Sequence, residues 1–193
     1  MFENCTKLIT AENLILPATI LAKDCYYEMF SGCTSLIKAP NILPAITLTD
    51  GCYEYMFQGC TSLTTAPKLP AMTLAISCYY YMFQGCTSLT TAPELPAITL
   101  VSLCYSSMFS GCSNLNYVKA MFTTTPGSSY TNSWLSGVST SGTFIKNSLA
   151  TWNDTGSSAV PTGWTLKEIS YDLTEFAPTE FFIPQGYLTF TSL

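Results

Sequence analysis

The nine cysteines are the residues in this 193-residue chain with the most scope for chemistry, and their spacing decides which chemistry is open. They fall into two columns, Cys25, Cys52, Cys78, Cys104 and Cys5, Cys33, Cys60, Cys86, Cys112, stepping by 26 or 27 residues after a first step of 28. Zinc needs close pairs such as Cys-x-x-Cys, and none is present. The two columns lie eight residues apart with a helical pattern between them. At about 1.5 Å of rise per residue that separation is roughly 10 Å, beyond the limit of about 7 Å between Cα atoms for a disulfide. Cysteine is also a small residue that packs well in an interior, and Val138 stands where the second column would continue. The cysteines are therefore expected to be buried free thiols, with no bound metal and no cofactor.

Other catalytic options are few. The chain has no histidine and no arginine, and its seven cations are lysines scattered along it. Imidazole acid–base catalysis and histidine ligation are thus excluded. Glu28 and Glu54 sit in adjacent repeats, but Tyr81 and Ser107 follow them, so no repeated pair of acids is built. Ser141-Gly-Thr reads as a turn. A net charge of −5 without guanidinium forks argues against nucleic acid. No apolar run reaches the roughly 18 residues of a membrane helix. The chain is read as non-enzymatic.

What positions these residues is a repeat. A fixed period near 26 residues signals stacked units. Within one copy Leu100, Cys104 and Met108 are four apart and Tyr105 and Phe109 fill the next row, which predicts a short helix over about 100–109. Gly111 stops it, as Gly32, Gly59 and Gly85 do in earlier copies. The Leu-x-x-Ala-Pro segments, Leu63–Pro67 and Leu89–Pro93, predict short strands ended by a proline. Stacked, they would make a parallel sheet at about 4.8 Å per copy.

The motif MFxGCTSLxxAPxLPAxTL, in Met56–Leu74 and Met82–Leu100, resembles the BspA-like leucine-rich repeats of bacterial surface proteins. The resemblance implies an α/β solenoid, a right-handed leucine-rich repeat with short parallel strands on one face and short helices on the other. It also implies a place at the cell surface or secretion, and a role in adhesion or protein binding. It brings no catalytic residues.

On this reading residues 1–118 are the array, about four copies with the first incomplete. The opening MFENCTKL matches Met29–Leu36 at an offset of 28, so the chain is expected to start inside a copy. Residues 119–170 form a degenerate capping repeat, because Trp134-Leu-Ser-Gly137-Val138-Ser139 lies 26 residues after Met108–Ser113. Strands are expected at Thr143–Lys146 and Gly163–Ile169, with Trp134, Trp152 and Trp164 over apolar edges. Residues 171–193 are a tail whose strand-like end, Gly186–Leu193, either docks on the array or opens a following β module.

Two surfaces are candidates for binding. Lys38, Thr65, Thr91 and Tyr117 align on the sheet face, with Asn41, Lys68 and Glu94 beside them, and suit a protein ligand on a host or neighbouring cell. The tyrosine after each first-column cysteine, Tyr26, Tyr53, Tyr79 and Tyr105, is assigned to the core. The next two positions vary and place Tyr27, Tyr55, Tyr80 and Tyr81 in an outward stripe suited to stacking a glycan. A passive spacer that binds through neither surface is the third reading.

Overall fold

The computed structural model describes residues 1–169. The tail from 171 onward, with its expected strand, lies outside the described residues. The fold is a stack of parallel coils around one apolar core that runs from Ala11 to Trp164. The boundary drawn between 118 and 119 falls inside a strand of that continuous core.

The expected helices do not form. Among the described residues there is no helix, and the only extended strands are β1 (Tyr117–Ala120), β2 (Thr143–Asn147) and β3 (Thr165–Ile169). They form one parallel sheet in the order β1-β2-β3, in register from Tyr117↔Thr143 and Thr143↔Thr165 onward. A leucine-rich-repeat solenoid with a helical face is thus corrected to a helix-free coil stack.

A ladder of tight turns replaces each helix. In the coil that holds Cys52, Gly51, Tyr55 and Gly59 have φ of 63°, 55° and 69°, so every fourth residue is left-handed. Glu54, Met56 and Gln58 donate their N–H groups three residues back, to Gly51, Tyr53 and Tyr55. The residues between, Tyr53, Tyr55, Phe57 and Gly59, donate instead to the carbonyls of Cys78, Tyr80, Met82 and Gln84 in the next coil at 2.8–3.1 Å. Half the donors that a helix would satisfy internally therefore tie one coil to the next. A non-glycine residue in the left-handed region costs roughly 1–2 kcal/mol, which these bonds and the core beneath them offset. The same bonds recur at each junction from Asp24–Gly32 to Leu103–Gly111, always from the earlier coil to the later one.

On the other side of each coil the strands expected in the repeats shrink to single bridges, such as Lys38↔Thr65 and Thr91↔Tyr117. Pro40, Pro67 and Pro93 follow the bridging segment and lack the N–H that a second rung requires. The corresponding segment one coil further on, Tyr117-Val-Lys-Ala120, has no proline and extends into β1.

Inside the stack, side chains of one type lie over one another. Phe2, Phe30, Phe57, Phe83 and Phe109 stack with centroids 5.2–5.5 Å apart and planes within 6°. Tyr26, Tyr53, Tyr79 and Tyr105 form a second column at 5.6–5.8 Å. Trp134 ends both, 6.1 Å from Tyr105 and 6.4 Å from Phe109, while its indole N–H donates to Ala159 O at 2.9 Å.

Candidate interaction surfaces

All nine cysteines are free thiols, but their environments are not uniform. Seven are buried, whereas Cys5 and Cys25, at the outer edge of the stack, are exposed, which corrects the expectation that all would be interior. Burial pushes Cys52 and Cys104 up to about 11 and Cys60 and Cys112 up to about 12, so these remain protonated at neutral pH. The second column also has a polar role that spacing did not reveal. Cys33, Cys60, Cys86 and Cys112 donate S–H to the carbonyls of Phe2, Phe30, Phe57 and Phe83 in the preceding coil, at 2.9–3.2 Å.

The sheet face gathers most of its expected residues. Thr10, Lys38 and Thr65 pair in succession, and Thr91 pairs with Tyr117, which continues through Thr143 to Thr165. Lys38, Asn41, Thr65, Lys68, Thr91 and Glu94 are exposed, and Tyr117 is half-buried. Asn41 is out of step with the others: the bridge partner of Lys68 is Ile42, and the Lys68 N–H donates to Asn41 O at 2.9 Å. Two charges are already paired, Lys38 with Glu12 at 2.5 Å and Glu94 with Lys119 at 2.8 Å.

Sequence reasoning passed over an apolar row on the outside of the stack. Ile46, Met72 and Ile98 occupy one position in successive coils and are 62%, 50% and 43% exposed. Met72 N–H donates to Ile46 O, and the neighbouring Thr47 and Thr73 pair across the coils. The signal was present in Pro-Ala-x-Thr-Leu, where x is Ile46, Met72 or Ile98 and lies between inward-facing alanine and leucine.

The tyrosine stripe also assembles, on the turn ladder. Tyr27 and Tyr55 meet edge to face at 5.7 Å, Tyr55 stacks on Tyr81 at 5.1 Å, and Tyr80 meets Tyr81 edge-on at 4.3 Å. Burial and the Tyr81 hydrogen bond push Tyr80 up to about 12. Ser106 and Ser107, at the same positions one coil further on, are buried rather than outward, so the stripe ends at Tyr81.

Below Tyr27 lies an open groove of 650 Å³ that includes Asp24, Asp50 and Glu54 in its lining. Burial, reinforced by Asp24 and Glu28, raises the Glu54 carboxyl above its ordinary value. Among the described residues no cluster of three or more cysteine, aspartate or glutamate side chains is arranged to hold a metal, and no helix is long and apolar enough to cross a membrane.

These features define a repeat scaffold with a core of stacked rings and two decorated outer surfaces. No protein-family model, curated protein or solved structure matches the chain.

Proposed function

We propose that this chain is a non-catalytic interaction module that binds a protein through its sheet face and the adjoining Ile46–Met72–Ile98 row. The observation behind this reading is the row itself: three large apolar side chains, 43–62% exposed, at one position of successive coils, with the Met72 N–H bonded to Ile46 O. Exposed apolar patches with polar borders are characteristic of protein interfaces. Here Thr47, Thr73, Lys68 and Glu94 supply exposed polar neighbours in the same coils. A stacked backbone loses little freedom on binding, which favours affinity. The resemblance of Met56–Leu74 and Met82–Leu100 to surface-protein repeats supports presentation outside the cell, on a surface or after secretion.

The test is binding of the purified chain to a panel of purified extracellular-matrix and cell-surface proteins by biolayer interferometry. The proposal expects a saturable signal that weakens at least about tenfold, or about 1.4 kcal/mol, in Met72→Asp, with the circular-dichroism spectrum unchanged. Binding indifferent to Met72→Asp and to Ile98→Asp, or no binding across the panel, sinks this reading and leaves a spacer.

A further inference from the structure

Lys146 is a buried nucleophile that neither binding surface uses. It lies in β2 at 1% exposure, and Ala150 and Trp152, whose carbonyls it meets, are buried as well. Burying an amine is costly unless its partners are fixed, and here they converge from three parts of the cap. Ala150 O and Trp152 O accept from Nζ at 3.0 and 2.7 Å and hold it at the mouth of the turn that follows β2. Asn153 Oδ1 accepts at 2.9 Å from an exposed residue at the end of that turn. Glu168, the register partner of Lys146 across β2 and β3, places Oε1 3.2 Å from the same nitrogen. An ammonium has three protons to give and here meets four oxygens, of which only the Glu168 carboxylate can take a proton outright.

An amine, a carboxamide and a carboxylate at these distances are the parts of an acyl transfer. A C=O bond is about 1.23 Å long, so Asn153 Cγ lies at most about 4.1 Å from Nζ. A small turn of the amide brings it within the roughly 3–3.5 Å of attack. A carboxylate within hydrogen-bond reach of the nucleophile can serve as its base. The Trp152 ring, centred 5.1 Å from Nζ, covers one side of the amine. The Glu168 side chain is 52% exposed and Asn153 is exposed, so a proton and a small leaving group both have a way out.

We propose that Lys146 and Asn153 join in an intramolecular isopeptide bond, with Glu168 as the proton carrier. Glu168 takes a proton from the Lys146 ammonium, and the freed lone pair on Nζ attacks Asn153 Cγ. The Cγ–Nδ2 bond then breaks and the Nζ–Cγ amide remains. Nζ gives up two protons in all: one passes by way of Glu168 to Nδ2, which departs as ammonia, and the other is released to solvent. Nothing is oxidised or reduced, and no co-reactant enters. The new amide nitrogen keeps one hydrogen for Trp152 O, the nearer of the two main-chain acceptors. This is a single self-directed event without turnover, compatible with a non-catalytic module. The bonded residues are only seven positions apart, and closing so short a loop removes little chain entropy. The bond therefore pins the turn after β2 more than it raises global stability, and mass is its direct readout.

The experiment is intact mass measurement of the full chain in denaturant, after incubation in the folded state, followed by trypsin digestion. The proposal expects a mass lower than that of the sequence by one ammonia, no cleavage after Lys146, and a Lys146 amine that acetic anhydride no longer modifies. Glu168→Gln changes a half-exposed side chain and should keep the circular-dichroism spectrum while forming the bond at least about tenfold more slowly. Asn153→Ala should keep the full mass of its sequence and restore cleavage after Lys146. A wild-type chain at its full sequence mass overturns the proposal. So does an ammonia loss that leaves Lys146 open to trypsin and acetylation, which assigns the loss to a succinimide at an asparagine, and so does an unchanged rate in Glu168→Gln. Met72→Asp should form the bond as the wild type does, so this result is independent of the sheet-face reading.

Discussion

Replacing Lys146 should loosen the capping half of the molecule out of proportion to a single surface-type residue. Lys146 is in β2 and is 1% exposed, the only fully buried cation among the described residues. Its Nζ donates to Ala150 O at 3.0 Å, Trp152 O at 2.7 Å and Asn153 Oδ1 at 2.9 Å, and lies 3.2 Å from Glu168 Oε1 and 5.1 Å from the Trp152 ring centre. Every ammonium proton is thus committed. Lys146→Met keeps the stem and removes the donors. Two main-chain carbonyls then lose a buried partner at about 1–3 kcal/mol each, while the Glu168 pair, 52% exposed on its acid side, contributes roughly 0–1 kcal/mol. Sparing the ammonium its desolvation offsets part of this, and the net expectation is a loss of about 2–4 kcal/mol. Lys146→Ala adds a cavity and should cost more. Guanidinium unfolding followed by tryptophan fluorescence reads this region directly, because Trp134, Trp152 and Trp164 all lie in it. A Lys146→Met midpoint shift equivalent to less than about 0.5 kcal/mol would refute the argument that these bonds hold the cap.

Thiol titration of the native chain should modify Cys5 and Cys25 quickly, with the other seven reacting only in denaturant; fast modification of most thiols in the native state contradicts the buried columns. The turn ladder predicts opposite outcomes for two small substitutions. Ser77→Gly, at φ 54°, should stabilise by about 0.5–1 kcal/mol, and Gly85→Ala, at φ 72°, should cost about 1–2 kcal/mol. The second cost is conformational, since the added Cβ finds Gly59 at an ordinary 3.8 Å. Urea midpoints that move in the same direction for both would contradict a left-handed ladder.

Glu54 predicts a pH dependence. Its carboxyl is raised in the folded chain from 4.5 by burial, then by Asp24 and Glu28, so the native state binds its proton more tightly than the unfolded chain. Stability from this group is present below the unfolded value and is lost as pH rises through the raised folded one. Glu54→Gln should flatten that slope and be the more stable form at neutral pH, and a wild type more stable than Glu54→Gln at pH 7 would reverse the sign.

The repeat and its inward columns could be read from the sequence because they depend on residue type alone. Cys52, Met56, Cys60, Tyr53 and Phe57 are all buried, as their spacing implied. The conformation that carries them could not be read from a four-residue apolar step, which a helix and a turn ladder share. A helix turns in 3.6 residues, so an eight-residue column such as Cys52–Met56–Cys60 would drift by roughly 80° around it. That strict step, with Gly51 and Gly59 at its ends, was the available clue. Left-handed Tyr55 and Tyr81 offered none, because tyrosine seldom adopts that region. The strands expected at Leu63–Pro67 and Leu89–Pro93 do not form, and only isolated bridges such as Lys38↔Thr65 and Thr91↔Tyr117 precede Pro67 and Pro93. The convergence of Asp24 and Glu54 over Gly51 joins residues 30 positions apart at most, through a glycine whose significance lies in its missing side chain. The thiol-to-carbonyl bonds were equally hidden, since each joins two coils.

The one-way donation along the turn ladder gives the stack a polarity that ordinary sheets lack, because in a sheet neighbouring peptide dipoles largely cancel. Here Tyr26 donates to Cys52, Tyr53 to Cys78, Tyr79 to Cys104 and Tyr105 to Tyr130, so peptide dipoles add along the stacking axis as they do along an α-helix. At each junction the later coil therefore turns carbonyl oxygens toward the earlier one, and the earlier coil turns N–H groups toward the later. At the last junction of the ladder Ser157 O and Ser158 Oγ accept from Leu135 and Ser133. A coil set into this ladder the other way round would place acceptor against acceptor, so the direction of the hydrogen bonds itself fixes which way round neighbouring coils stack.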